Sequence, residues 1–204
     1  MNLQKSILLS ASIASALIFS GCASTGGGSY VNSQGPDTLV AGNQITITDF
    51  YIASDEMVNS MVSSGALDRA PKQPAIMAIS RVINDTREQF DTDQLVKKIR
   101  VALSQTGKVM TTTTVGFGGN AEDKLAESAA AKEAYLSGKT YSPSSKVDFT
   151  LSGKIIQPPK VKVGSDRQNS YIFQLTLTQV GSGLAVWEDE KTITKQYKKS
   201  SIGW

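Results

Sequence analysis

The stretch Asp91-Thr92-Asp93-Gln94-Leu95-Val96-Lys97-Lys98-Ile99-Arg100-Val101-Ala102-Leu103-Ser104-Gln105-Thr106-Gly107 decides the fold. Leu95, Val96, Ile99, Ala102 and Leu103 share one side of a 3.6-residue helix. Asp91 or Thr92 offers a side-chain oxygen to cap its start, and Gly107 supplies the left-handed residue that ends it. Just before it, Ala75 to Ile83 is a nearly continuous apolar run, the pattern of a strand buried on both faces, closed by the polar turn Asn84-Asp85-Thr86-Arg87. Just after it, Lys108 to Thr114 is rich in β-branched threonine and reads as a second strand. A helix between two strands points to an α/β architecture.

Further out, Phe50, Ala53, Met57 and Met61 recur at helical spacing, widened by Val58 and Val62. They predict a helix from Thr48 or Asp49 to Ser64, stopped by Gly65, with its methionines in the core. Downstream, the bend Gly116-Phe117-Gly118-Gly119 leads into a helix capped by Asn120 and running to about Leu136, whose Ala129-Ala130-Ala131 centre predicts close packing with little buried area. The last third alternates: Val147, Phe149 and Leu151, then Tyr171, Phe173, Leu175 and Leu177, mark strands with one apolar face. Gly181-Ser182-Gly183 joins the second of these to Leu184 through about Lys195 as an antiparallel hairpin. The expected fold is an α/β (α+β) sandwich with a mixed sheet of about five strands and about three helices, in a single domain spanning 47–204.

Composition removes much chemistry. Among 204 residues there is no histidine and one cysteine, Cys22, which excludes Ser-His-Asp triads, Cys-His pairs and the usual zinc sites. No metal site and no cofactor is expected. A net charge of +3 is too small for a nucleic-acid footprint. The glycine bend before the third helix lacks the lysine of a phosphate loop, and Glu122 and Asp123 at the helix start repel anions. Glu188 and Glu190 share a strand face, but solvated charges beside a strand explain them as well as a glycosidase pair does. Lys191, Lys195, Lys198 and Lys199 read as a solvated basic tail. Carboxylate-only or lysine-based chemistry survives this cut, but composition leans towards a binding module and not an enzyme.

The first residues set the compartment. Lys5 followed by the apolar stretch Ile7–Phe19 is too short to span a bilayer comfortably and has the form of a secretory signal over 1–21. Phe19-Ser20-Gly21-Cys22 resembles the bacterial lipobox, which implies cleavage before Cys22 and acylation of its sulfur. Several acyl chains on one residue anchor a protein stably without a membrane helix. Ala23, where an Asp would retain the protein at the inner membrane, implies the outer membrane with the domain facing the periplasm. Residues 22–46 form a Gly/Ser-rich tether whose only charge is Asp37. Such a chain has a typical span of ~25–30 Å and a fully extended reach of ~80 Å.

Asp49-Phe50, Met57-Val58-Asn59-Ser60-Met61, Asn84-Asp85-Thr86 after the apolar strand, Leu95 to Leu103 with Thr106-Gly107-Lys108, Tyr171 to Leu177 and Val186-Trp187 together resemble the LpoB family. These are outer-membrane lipoproteins that activate bifunctional penicillin-binding proteins. The resemblance covers about residues 48–195 and implies a TolB-amino-terminal-like fold and a non-enzymatic activator of peptidoglycan synthesis. It implies a penicillin-binding protein as partner and the membrane as a second, lipid-mediated contact. The family's best-known members carry a long Pro-rich tether. A short Gly/Ser tether also fits an alternative: a structural or assembly lipoprotein of another outer-membrane complex, CsgG- or TolB-like. Asn84, Asp85, Thr86 and Arg87, at the end of the first strand, are the expected partner-binding residues, because loops at strand ends are where α/β domains commonly bind.

Overall fold

A computed structural model describes residues 30–32, 35, 39–114, 123–142 and 147–198. The chain divides into two units, Met1–Val31 and Asn32–Trp204, and every helix and strand among the described residues belongs to the second. Cys22, the glycine bend 116–119, Asn120, Glu122 and Lys199 lie outside the described residues.

Helix α1 (Ile47–Ser63) and a 3-10 turn (Ala66–Arg69) precede strand β1 (Ala75–Asp85), followed by α2 (Asp93–Gln105), β2 (Val109–Thr111) and α3 (Lys124–Leu136). Strands β3 (Phe149–Ile156), β4 (Val161–Val163), β5 (Asp166–Gln179) and β6 (Leu184–Lys198) complete the fold. The sheet has six strands in the order β2-β1-β3-β5-β4, with β6 on the other edge of β5. β1 is parallel to both β2 and β3, and the remaining pairings are antiparallel. A mixed sheet with three helices is the expected architecture. The sixth strand, β4, escapes notice because Val161-Lys162-Val163 is too short to establish a period.

Both α1 and α2 cover one sheet face. Phe50, Met57 and Met61 from α1 and Leu95, Ile99 and Leu103 from α2 pack with Met77, Ile79, Phe149, Leu151, Phe173 and Leu177 in a single core. Tyr171, Phe173, Leu175 and Leu177 are at most 3% exposed, so their period-two spacing is realised in full. Gly153 belongs to this face: a Cβ there would stand 2.6 Å from Leu175 Cδ2 and 2.8 Å from the Gln174 carbonyl oxygen. Its lack of a side chain lets β1, β3 and β5 close up under Leu175.

Three features depart from the expected pattern. Ile83 is 56% exposed, so β1 is not buried on both faces; its later half alternates because no helix of the core layer reaches that side. The threonine strand is short: Thr114 N–H donates to Thr112 Oγ1, and such local side-chain bonds pull backbone out of the ladder. Helix α3 has no buried residue despite its alanines. Its cap is Asp123, whose Oδ1 accepts from Leu125 and Ala126 N–H at 3.1 and 3.0 Å. At α2 the engaged cap is Asp91, accepting from Asp93 N–H at 2.8 Å.

Candidate functional site

At the end of β1 the turn folds on itself. Asn84 Oδ1 accepts from Thr86 N–H at 3.1 Å and from Thr86 Oγ1 at 2.7 Å, while Asn84 Nδ2 donates to the Glu88 carbonyl at 2.9 Å. These are the bonds of an Asx turn. Asp85 pairs with Lys154 on the neighbouring strand at 2.6 Å. Arg87 N–H donates to Gln157 Oε1 at 3.0 Å, and its side chain is exposed. Of the four expected partner-binding residues, Asn84 and Thr86 are therefore used internally, Asp85 is tied to the sheet, and Arg87 presents its charge to solvent.

Glu88, which sequence reasoning passed over, joins this turn to the chain entering the domain. Its Oε2 accepts from Ile45 N–H at 2.8 Å, and its other oxygen accepts the Tyr171 hydroxyl proton. The Tyr171 oxygen in turn accepts from Asn169 Nδ2 at 2.5 Å, and Asn169 Nδ2 also donates to the Asn43 carbonyl at 3.1 Å. Burial, and then the Glu88 carboxylate, push the Tyr171 phenol far above its ordinary range. It therefore acts as a fixed donor and does not ionise.

A second buried group completes the clamp. Lys195 Nζ lies 2.5 Å from Asp49 Oδ2, with side chains only 5% and 4% exposed. It also donates to the carbonyls of Ala41 and Gln44 at 3.1 and 3.0 Å. Asp49 Oδ2 meanwhile accepts from Thr46 N–H at 2.6 Å, as the carboxylate of a helix-start box does. Gly42 presses on β6: a Cβ there would stand 2.6 Å from Tyr197 Cβ. Residues 41–46, read from composition as the end of the tether, are thus held against the domain. Lys195 is no solvated tail lysine, and Lys191 pairs with Glu56 of α1. Strand β6 runs on to Lys198, and period two turns 191 and 195 toward the helix face.

The outer sheet face is built from cross-strand rungs. One runs Asp85, Ile156, Ile172, Thr192; the next runs Ile83, Lys154, Gln174, Glu190. Glu190 and Glu188 each accept a side-chain hydrogen bond from β5, from Gln174 at 2.8 Å and Thr176 at 3.0 Å. Both carboxylates are exposed partners of a polar ladder. Among the described residues, no group of three or more His, Cys, Asp or Glu side chains is placed to hold a metal. Nor is any helix among them long and apolar enough to cross a membrane.

The family model of the peptidoglycan-synthase activator LpoB matches residues 49–193, from the first turn of α1 into β6. The chain belongs to the LpoB family. Similar solved structures include the LpoB C-terminal domain of Escherichia coli (15% identity, 71% of this chain and 98% of that one, TM-score 0.43). The corresponding domain of Salmonella enterica is 14% identical over 71% of this chain and 98% of that one, with a TM-score of 0.42. The solution structure of E. coli LpoB is 13% identical over 96% of both chains, with a TM-score of 0.41. No curated protein sequence matches the chain significantly. The family match begins at Asp49 and ends at Ile193, so it contains the Asp49 and Glu88 ends of the clamp and stops just short of Lys195.

Proposed function

We propose that this LpoB-family chain is an outer-membrane lipoprotein, anchored through acyl chains on Cys22 with its domain in the periplasm, that binds and activates a bifunctional penicillin-binding protein. The observation that carries this reading is the activator-family match across 49–193, which runs from the first turn of α1 into β6. In this reading the chain acts on the synthase allosterically, as a regulator of another protein's active sites. Binding favours an active state of the synthase only if the domain binds that state more tightly than the resting one. Within the turn expected to contact the partner, Arg87 is the side chain available to it.

A second reading is favoured by the clamp. Holding 41–46 leaves only residues 23–40 as a leash, with a typical span of ~21–25 Å. Such a leash suits a complex close to the outer membrane, of the CsgG- or TolB-like kind. Glycan polymerisation by the purified synthase, with and without the chain, separates the two. Stimulation supports the activator reading, and an unchanged rate favours the assembly reading. Arg87→Glu is expected to lower stimulation while leaving the thermal midpoint in place; full stimulation removes the turn from the interface. Cys22→Ala is expected to move the chain from the membrane fraction to the soluble periplasm, and its retention on membranes would overturn the lipid anchor.

A further inference from the structure

The end of the domain where the tether is clamped gathers uncompensated positive charge. Arg87 lies just past β1, Lys160 just before β4, Lys162 within it, Arg167 at the start of β5 and Lys198 at the end of β6. The registers bring them together: Lys162 pairs with Arg167, Arg167 with Tyr197 and Asp166 with Lys198. Arg87 joins them through Gln157, three residues before Lys160. Arg87, Lys162 and Lys198 are exposed, and Lys160 and Arg167 are half-buried. Among the described residues none of these cations is in an ion pair; the Arg167 guanidinium donates to the carbonyls of Gly164 and Asp166 at 2.7 and 2.8 Å. The neighbouring carboxylates are mostly engaged: Asp85 by Lys154, Asp49 by Lys195, and Glu88 by Ile45 and Tyr171, which leaves Asp166.

The strand among these cations carries uncovered carbon. β4 is exposed along its whole length, with Val161 at 51% and Val163 at 71%. Period two puts the valines on one side of the strand and Lys160 and Lys162 on the other. Apolar side chains flanked by lysine and arginine suit the headgroup layer of a membrane. There the carbon enters the boundary while the charged ends stay with the phosphates.

The clamp decides which surface this end meets. Gly42 rests on Tyr197, and the Asn43 carbonyl accepts from Asn169, so the leash leaves the domain beside the Arg167 and Lys198 rungs. Residues 23–40 have a typical span of ~21–25 Å. A lipid on Cys22 therefore holds this end of the domain, and not the start of β1, near the leaflet. Tethering at that range gives a weak contact a high effective concentration. A wall peptide or an acidic protein groove would also attract the cations. The wall peptide offers the valines no apolar layer, and nothing in the chain holds either one next to the tether exit.

We propose that this end of the domain is a second membrane contact: the Lys160–Val163 segment, with Arg167 and Lys198 beside it, seats on anionic phospholipid headgroups of the leaflet that carries the Cys22 acyl chains. This rests on the lipid-anchor reading and adds a docked position to it. Alone the contact is reversible, since stable anchoring takes two signals, so the Cys22→Ala chain still leaves the membrane fraction.

The test uses the purified Cys22→Ala chain, which has no acyl chain at that residue, and measures co-sedimentation with vesicles of phosphatidylethanolamine and phosphatidylglycerol. It binds these and not vesicles of phosphatidylcholine, and added salt weakens binding by screening. Each cation near an anionic surface strengthens binding about fivefold. Lys160→Gln with Lys162→Gln therefore weakens it about 25-fold, and Lys198→Gln, on a different strand, about fivefold. Val161→Ser with Val163→Ser weakens it several-fold at every salt concentration, because that loss is not electrostatic. Lys72→Gln with Lys132→Gln removes two exposed cations away from this end and leaves binding unchanged. If the paired lysine variant melts early, Lys198→Gln decides alone. Binding that is indifferent to phosphatidylglycerol, or a control pair that loses as much as the β4 pair, overturns the proposal. Retention by purified peptidoglycan sacculi with none by vesicles also overturns it and assigns the cations to the wall. Failure of the lipid anchor is read separately, from the fractionation of Cys22→Ala cells, and leaves a positive vesicle result standing.

Discussion

Replacing Lys195 by methionine keeps an unbranched stem of similar length and removes one charged atom. In the folded chain that atom is 2.5 Å from Asp49 Oδ2 and within 3.1 Å of two tether carbonyls, from Ala41 and Gln44. Its loss leaves the Asp49 carboxylate, 4% exposed, without its counter-charge. Removing one member of a buried pair costs ~3–5 kcal/mol. At ~2–4 °C per kcal/mol for a unit of this size, the thermal midpoint falls by ~6–20 °C. Lys191→Met is the control. Its pair with Glu56 is 31% and 52% exposed, and solvent-screened pairs contribute ~1 kcal/mol at most. Urea unfolding followed by tryptophan fluorescence reads both, because Trp187 is buried in the core. Hydrogen exchange at Ile45 and Thr46 reads the clamp itself, and it should accelerate in Lys195→Met well before global unfolding. A Lys195→Met variant within ~1 kcal/mol of wild type and no worse than Lys191→Met would refute the idea that burial makes this pair structural.

Two further outcomes follow from the same interior. Tyr171 keeps its proton in the folded chain, whereas an unfolded chain releases it near the ordinary value of 10.0. A raised folded pKa means that this contribution is complete below pH 10 and is lost as pH rises above it, at up to ~1.4 kcal/mol per pH unit. The gap in urea midpoint between wild type and Tyr171→Phe should therefore narrow from pH 10 to 11; a gap constant over that interval contradicts the assignment. Gly153→Ala forces a Cβ to 2.8 Å from the Gln174 carbonyl oxygen, a backbone atom that cannot swing away. A loss of ~1–3 kcal/mol is expected, and a neutral variant would mean that the sheet yields there.

Much of the fold was legible because period is a local property. Tyr171, Phe173, Leu175 and Leu177 announce a strand by themselves, and Leu95 to Leu103 a helix, whatever they meet. The clamp was not legible, since Asp49, Glu88, Tyr171 and Lys195 lie far apart in sequence and each is unremarkable alone. One signal was available: Lys195 continues the odd-numbered register of Trp187 and Ile193, which turns it inward, and a buried ammonium requires a carboxylate. The expected contact turn was read from residue types that serve two uses. Asn84 and Thr86 have the polarity of an interface, yet the same hydroxyl and amide groups close an Asx turn, and nothing in the residue types separates the two uses. Helix α3 misled for the opposite reason. Alanine-rich sequence reads as close packing, but no residue of α3 is buried, and whether a helix finds a surface to pack on is not a local property.

The clamp also ties stability to reach. Six residues held against β6 withdraw ~20 Å from the extended leash, about a quarter of what composition alone would grant. A Gly/Ser insertion of about 18 residues between Val40 and Ala41 doubles the leash and leaves every clamp bond in place. Stimulation of the synthase in detergent solution should be unchanged by it, because there the leash does no positioning. In the envelope the two functional readings then separate. A partner at the far side of the wall becomes easier to reach, so growth dependent on the chain improves. A partner close to the outer membrane is already within range, and doubling the leash dilutes the domain by about threefold, from the −3/2 power of length. Growth that weakens on insertion would therefore favour the assembly reading even if the purified chain stimulates a synthase in solution.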